Sequence, residues 1–97
     1  MTVLHLINRA PPADALARCL ASLTAQDTVL FYESGVLACC AGALTSSARS
    51  SRVRFVALRV DVEAFGAASR LDPAVEIVDD VDFVDLVASH QPIVSWA

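Results

Sequence analysis

The sequence contains no lysine, only three glycines, and no apolar run of the roughly 20 residues that a membrane-spanning helix needs. No transmembrane segment is therefore expected. Three cysteines are an odd number, which does not indicate a framework of disulfides. No basic segment precedes the first apolar run, so no secretory signal peptide is predicted. We expect a cytoplasmic protein that does not associate with membranes.

Motifs for nucleotides, metals and hydrolytic chemistry are also missing. The chain has no GxGxxG or GxxxxGK[ST] loop to hold phosphate groups. It has no GxSxG, HExxH or paired CxxC either. The net charge of −4, with seven arginines, argues against unspecific binding to nucleic acid. We predict no cofactor, no metal and no direct contact with nucleic acid.

Apolar residues are abundant, at 56% of the 97 residues. A chain of this length forms one domain, residues 1–97, and buries roughly two-thirds of the surface of its unfolded state. The apolar fraction is high for a small soluble monomer. Part of the apolar surface is therefore expected to lie between chains, and the isolated chain could form a homo-oligomer.

Apolar segments of two kinds alternate along the chain. Short continuous or alternating runs predict five strands, at residues 2–8, 28–32, 53–58, 75–78 and 93–96. Helical spacing and good helix formers predict helices over about 13–24 and 36–44, near 61–65, and from Asp82 onward. Ser34 and Asp61 are predicted to cap the second and third helices. The alternation predicts a three-layer α/β/α domain with a parallel sheet of four to five strands, flavodoxin-like in general form.

Polar residues follow several of the predicted strands. Sites in parallel sheets collect beyond the carboxyl ends of the strands, and here that edge is expected to carry Asn8, Arg9, Glu33, Ser34, Arg59 and Asp79. His5 lies inside the first strand without a second ligand at metal-binding spacing, so we expect a core or edge histidine bonded to a neighbour. The serine-rich segment 45–52 is expected to be a solvated loop.

Cys19 is the first thiol to weigh for chemistry. On a helix over 13–24 it lies about 60° from Leu16, at the margin of the apolar stripe, where a side chain can be partly exposed or can pack as a small hydrophobe. It is too far into the helix for the dipole to favour the thiolate. Cys39 and Cys40 are adjacent and are expected to pack in the core. The residues alone leave open whether Cys19 is reactive or structural.

Five segments of the chain resemble, in order and with similar spacing, motifs of the DsrH/TusB family. They are HLINRAP (5–11), LARCL (16–20), FYESGV (31–36), VDDVDFVDL (78–86) and VSW (94–96). The second segment places Cys19 on the cysteine of that family. No cysteine stands near Arg59 and Val60, where a sister subunit of the family holds its main persulfide. The resemblance therefore makes Cys19 the candidate persulfide thiol.

What the resemblance implies is a DsrEFH-like fold and a subunit of a cytoplasmic sulfur-relay complex. Such a complex transfers persulfide sulfur, for 2-thiolation of the wobble uridine of transfer RNA. The partners implied are sister DsrE/TusD-like and DsrF/TusC-like subunits in a heterohexamer. Two alternatives remain: a non-catalytic assembly subunit of a sulfur-oxidation complex of DsrEFH type, and a small nucleotide- or flavin-binding module. Whether this chain itself acts as an enzyme is left open.

Overall fold

The structure is a computed structural model that describes residues 2–11, 14–44 and 52–96. Within them the strands are β1 (Leu4–Ile7), β2 (Thr28–Phe31), β3 (Arg54–Leu58), β4 (Val75–Val78) and β5 (Ile93–Trp96). The α-helices are α1 (Ala15–Ala21), α2 (Arg59–Ala64) and α3 (Asp80–Ser89), and two 3₁₀ helices span Glu33–Cys39 and Ala68–Arg70. Each predicted strand is thus found within a few residues of its expected bounds. Most of the segment expected to be a solvated loop, residues 45–51, lies outside the described residues.

The strands form one parallel sheet with the order β4-β3-β2-β1-β5. The chain steps in one direction from β1 to β4 and then returns to the far side of β1. Because crossovers between parallel strands are right-handed, this reversal moves the last connection, α3, to the opposite face of the sheet from α1 and α2. The predicted α/β/α domain is confirmed, with five strands.

Side chains that alternate along the strands form one apolar cluster on each face. The larger cluster lies on the face of the sheet that α1 covers, and its strand residues include Ile7, Val29, Phe31, Phe55 and Ala57. The smaller cluster lies on the opposite face and consists of Leu86 of α3 together with four strand residues, Leu4, Leu30, Val56 and Val78. All four residues of β2 are buried, as expected for a strand covered on both faces. Among the described residues, no helix is long and apolar enough to cross a membrane.

The helix predicted over 36–44 is wrong in type and position. The segment is a 3₁₀ helix that begins at Glu33, directly after β2, and its last residue is Cys39. Cys40 is extended and forms an antiparallel bridge with Leu71, and Gly42 has a φ of 88°. This extended pairing competes with the helix and ends it. Ser34 does not cap the helix; its hydroxyl donates a hydrogen bond to the carbonyl of Asn8 at 3.1 Å.

The acids at the start of the later helices also differ from the prediction. Asp61 lies in the first turn of α2, which begins at Arg59, and its carboxylate accepts a hydrogen bond from the Glu33 backbone N–H at 2.7 Å. Helix α3 begins two residues before Asp82. Asp79 is its N-cap, and Asp82 completes a capping box by accepting a hydrogen bond from the Asp79 backbone N–H at 3.0 Å.

Candidate functional site

Cys19 lies on the buried face of α1 and is fully inaccessible to solvent. Ala15 and Cys19, one turn apart, are the residues that α1 buries completely, whereas Leu16 and Leu20 are half-buried beside them. Two small side chains let the helix approach the sheet closely, and the larger leucines then pack on its flanks. Helical periodicity predicts Cys19 at the margin of the buried stripe of α1, whereas the thiol lies at the centre of that stripe.

Burial sets the chemistry of this thiol. It raises the pKa of Cys19 to about 12, and the nearby charge of Asp27 adds to the increase. Burial also raises the pKa of Cys39 to about 12, and the thiol of Cys39 donates a hydrogen bond to the carbonyl of Val36 at 3.2 Å. Cys40 is half-buried, so the core packing expected of both later cysteines holds only for Cys39. In this conformation burial disfavours, at both thiols, the thiolate that sulfur exchange requires.

We expect one fast-reacting thiol per native chain. A rise of the pKa from 9.0 to about 12 lowers the thiolate fraction at pH 8 about a thousandfold. Titration with a chromogenic disulfide at pH 8 should therefore modify Cys40 first, and Cys19 and Cys39 only as the chain unfolds. Cys40→Ser should remove the fast phase. A fast phase that disappears instead in Cys19→Ser would show that α1 opens in solution.

Asp27 is the centre of a buried hydrogen-bond network beside this thiol. Its carboxylate, 1% exposed, accepts hydrogen bonds from the backbone N–H of Val3 and Thr24, both at 3.1 Å, and from the Thr24 hydroxyl at 3.2 Å. The Nε2 atom of His5 lies 2.9 Å from the same carboxylate. Burial alone would raise the pKa of Asp27, but the hydrogen bonds from His5, Thr24 and Val3 outweigh it and lower the pKa.

His5 connects Asp27 to the last strand. The indole Nε1–H of Trp96 donates a hydrogen bond to Nδ1 of His5 at 3.1 Å. An indole N–H can only donate, so Nδ1 must be unprotonated, and the proton of the neutral ring is on Nε2, which donates to Asp27. The expectation that His5 is a core histidine bonded to a neighbour is thus confirmed.

The same network reaches α1. The guanidinium carbon of Arg18 lies 5.9 Å from the centroid of the Trp96 ring, a cation–π contact. The chain of contacts from Asp27 through His5 and Trp96 to Arg18 therefore joins the turn before β2, the strands β1 and β5, and the helix that carries Cys19. These contacts add to the apolar packing of Ala15 and Cys19, which covers the thiol.

The six polar residues predicted for the carboxyl edge of the sheet lie there, and five of them make separate local contacts, whereas Arg9 is exposed. Ser34 binds the backbone of Asn8, and the backbone of Glu33 binds Asp61. Arg59 donates to the carboxylate of Asp79 at 2.6 Å, which raises the pKa of Arg59. Beyond β3 and β4, this pair borders a groove of about 260 Å³ lined by Arg59, Val60, Glu63, Asp79, Asp80 and Val81. In the described part of the chain, no group of three or more histidine, cysteine or acidic residues is placed to hold a metal ion.

Sequence reasoning identified His5 and Cys19 but missed Asp27 as a central residue. Asp27 stands in the turn before the second strand, and an acid in a turn gives no sequence signal of burial. The sequence likewise does not indicate that Trp96, near its end, contacts His5 in the first strand. A buried acid that must be hydrogen-bonded is found only when the fold brings Val3, Thr24 and His5 around it.

Comparisons with known proteins find similarity along nearly the whole chain. A family model described as DsrH like protein matches residues 9–93. Protein TusB of Photorhabdus laumondii subsp. laumondii is 35% identical over 71 residues, which cover 72% of this chain and 75% of that protein. Protein TusB of Enterobacter sp. (strain 638) is 27% identical over 95 residues, covering 97% of this chain and 100% of that protein.

A solved structure supports the fold independently. The solution NMR structure of protein Tm0979 from Thermotoga maritima superimposes with a TM-score of 0.68 and covers 92% of this chain and 94% of that one. At 17% sequence identity this similarity concerns the fold alone.

Proposed function

This chain belongs to the DsrH family, and from that premise we propose that it is a subunit of a cytoplasmic sulfur-relay complex for 2-thiolation of the wobble uridine of transfer RNA. The observation that carries the proposal is the similarity to TusB proteins over 97% of the chain. The proposed partners are sister subunits of DsrE/TusD and DsrF/TusC type in a heterohexamer. An assembly subunit of a sulfur-oxidation complex is the second candidate, since the family name DsrH covers that branch too.

Of the two roles open to such a subunit, the geometry favours assembly over sulfur transfer. A carrier thiolate would attack the outer sulfur of an incoming persulfide, form a new S–S bond on the cysteine, and release the donor as a thiolate. Attack of this kind needs an accessible thiolate, but Cys19 is fully buried and its pKa is about 12. A carrier role for Cys19 therefore requires α1 to move away from the sheet when a partner binds.

Deletion of the gene in its own organism tests the function. We expect wobble 2-thiouridine to fall at least about tenfold, because a relay that lacks one subunit delivers no sulfur. Mass spectrometry of nucleosides from purified transfer RNA measures this directly. Unchanged 2-thiouridine together with impaired oxidation of reduced sulfur would instead assign the chain to the sulfur-oxidation branch.

Complementation of that deletion distinguishes assembly from transfer. Cys19→Ser is the test variant and Cys39→Ser is its matched control, because both thiols are fully buried and both have a pKa of about 12. We expect both variants to restore thiolation in proportion to the amount of folded protein. If Cys19→Ser assembles with its partners and fails to restore thiolation, whereas Cys39→Ser restores it, then Cys19 carries sulfur.

A further inference from the structure

The groove beyond β3 and β4 has an apolar surface that its own chain leaves uncovered. Val60 and Val81 line it and are 56% and 72% exposed. Val84, one turn after Val81 on α3, continues the stripe and is 64% exposed. Single exposed aliphatic residues are ordinary, but two in a groove and a third one turn away form an apolar surface of the kind that contacts other molecules.

The charges around these valines are almost all of one sign. Three carboxylates, those of Glu63, Asp79 and Asp80, line the groove against one guanidinium. Asp79 binds that guanidinium directly. For Glu63 and Asp80, no cation among the described residues lies at ion-pair distance. Arg59 also attracts Glu63 electrostatically, but one cation against three carboxylates leaves the groove, among the described residues, with aliphatic surface and an excess of negative charge.

We propose that this groove receives an arginine or lysine side chain from a sister subunit of the relay complex. The aliphatic stem of that side chain lies on Val60 and Val81, and its charged head lies between Glu63 and Asp80. Long basic side chains combine these two properties, an apolar stem and a charged end. The inference rests on the proposed function, because it takes the partner from the complex that the function requires.

Other occupants fit this surface less well. A volume of about 260 Å³ is below the range of about 300–1,000 Å³ that is usual for small-molecule sites. The carboxylates repel the phosphates of nucleic acid. A second copy of the chain that met this groove with its own groove would oppose like charges across the interface. An arginine or lysine side chain of a different protein matches both the negative charge and the shape of the groove.

Neutralising the groove tests the charge requirement. The variant Glu63→Gln/Asp80→Asn removes two negative charges from the groove, and Asp14→Asn/Glu76→Gln removes two from surface ion pairs elsewhere. We expect the first variant to bind purified sister subunits about tenfold more weakly, with a shallower salt dependence, and the control to stay within about twofold of the natural chain. Calorimetric titration at two salt concentrations measures both quantities, and thermal unfolding confirms that both variants are folded.

Crosslinking tests the identity of the occupant. A photoreactive amino acid at position 81, within the assembled complex, should link to a sister-subunit peptide that contains arginine or lysine. The same group at Ile93, 42% exposed on the edge strand β5, is the control and should not link to that peptide.

The outcomes separate this proposal from the function on which it rests. If the natural chain binds no sister subunit, the proposed function fails and the groove proposal fails with it. If it binds but the neutralised groove binds equally well, only the groove proposal is overturned. Crosslinks from position 81 to a second copy of the chain, or to a peptide without a basic residue, overturn it as well.

Discussion

Asp27→Asn is expected to lower the free energy of unfolding by about 3 kcal/mol. The carboxylate of Asp27 accepts hydrogen bonds from Val3, from both donors of Thr24 and from His5, and it is almost completely buried. An asparagine amide offers one oxygen and one NH₂ group in the same space. The NH₂ group would face donors, so at least one buried N–H would lose its partner. Urea unfolding measures the loss.

The matched control is Asp14→Asn. Asp14 makes an ion pair with Arg18 at 3.2 Å, but its side chain is 77% exposed. Exposed pairs of this kind contribute between zero and about 1 kcal/mol, so the control should stay close to the natural protein. Equal losses in the two variants would contradict the role of Asp27 as the centre of the buried network.

The acid sensitivity of stability should change in the same variant. Because the pKa of Asp27 is lower in the folded chain than its value of about 3.9 in an unfolded one, the carboxylate stabilises the fold fully above that pH. This contribution is lost as the pH falls through the folded-state pKa. Asparagine does not titrate, so the difference in stability between the natural chain and Asp27→Asn should shrink as the pH drops from about 5 to about 2.

The strands were predictable because their signal is local. In VEIV and IVSW, a short apolar run bounded by turn residues gives the strand, and the structure places β4 and β5 on those four residues each. Alternation of strands with helices then gives the parallel sheet, since parallel neighbours need crossover connections. The fold class could thus be derived without knowing a single tertiary contact.

The segment after β2 could not be predicted in the same way, because tertiary contacts override its helix propensity. VLACCAGAL contains good helix formers, yet the backbone of Cys39 accepts a hydrogen bond from Asp72 N–H at 2.8 Å, and Ala41 N–H donates to Arg70 at 2.7 Å. These partners are about 30 residues away in sequence. Local propensity contains no information about such pairing.

The candidate site could likewise be predicted only in part. The identity of Cys19 as the candidate thiol came from its sequence context, but its burial depends on the rotation of α1 about its axis. A shift of about 60° separates a margin position from the centre of the packed face. The spacing of Leu16, Leu20 and Leu23 at i, i+4 and i+7 predicts that the leucines form the buried stripe, whereas packing places the small residues Ala15 and Cys19 against the sheet.

Gly35→Ala is expected to be the most destabilising of the three glycine-to-alanine changes, at about 3 kcal/mol or more. A Cβ at Gly35 would overlap the carbonyl oxygen of Ile7, and would come within 2.7 Å of the carbonyl carbon of Ile7 and 2.9 Å of the Cα of Asn8. All three are backbone atoms where β1 ends, so no flexible side chain can move to make room. The 3₁₀ helix that contains Gly35 would have to move away from the end of β1.

Two other glycines provide controls for this prediction. Gly42 and Gly66 have positive φ angles of 88° and 60°, and a Cβ at either would meet no atom within 4 Å. Their alanine variants should therefore lose only the roughly 1–2 kcal/mol that the left-handed conformation costs an L-residue. If Gly35→Ala unfolds at a urea concentration no lower than these two variants do, the close contact between Gly35 and the end of β1 is not rigid. In that case the hydrogen bond between Ser34 and Asn8 at the carboxyl edge is not fixed by this packing either.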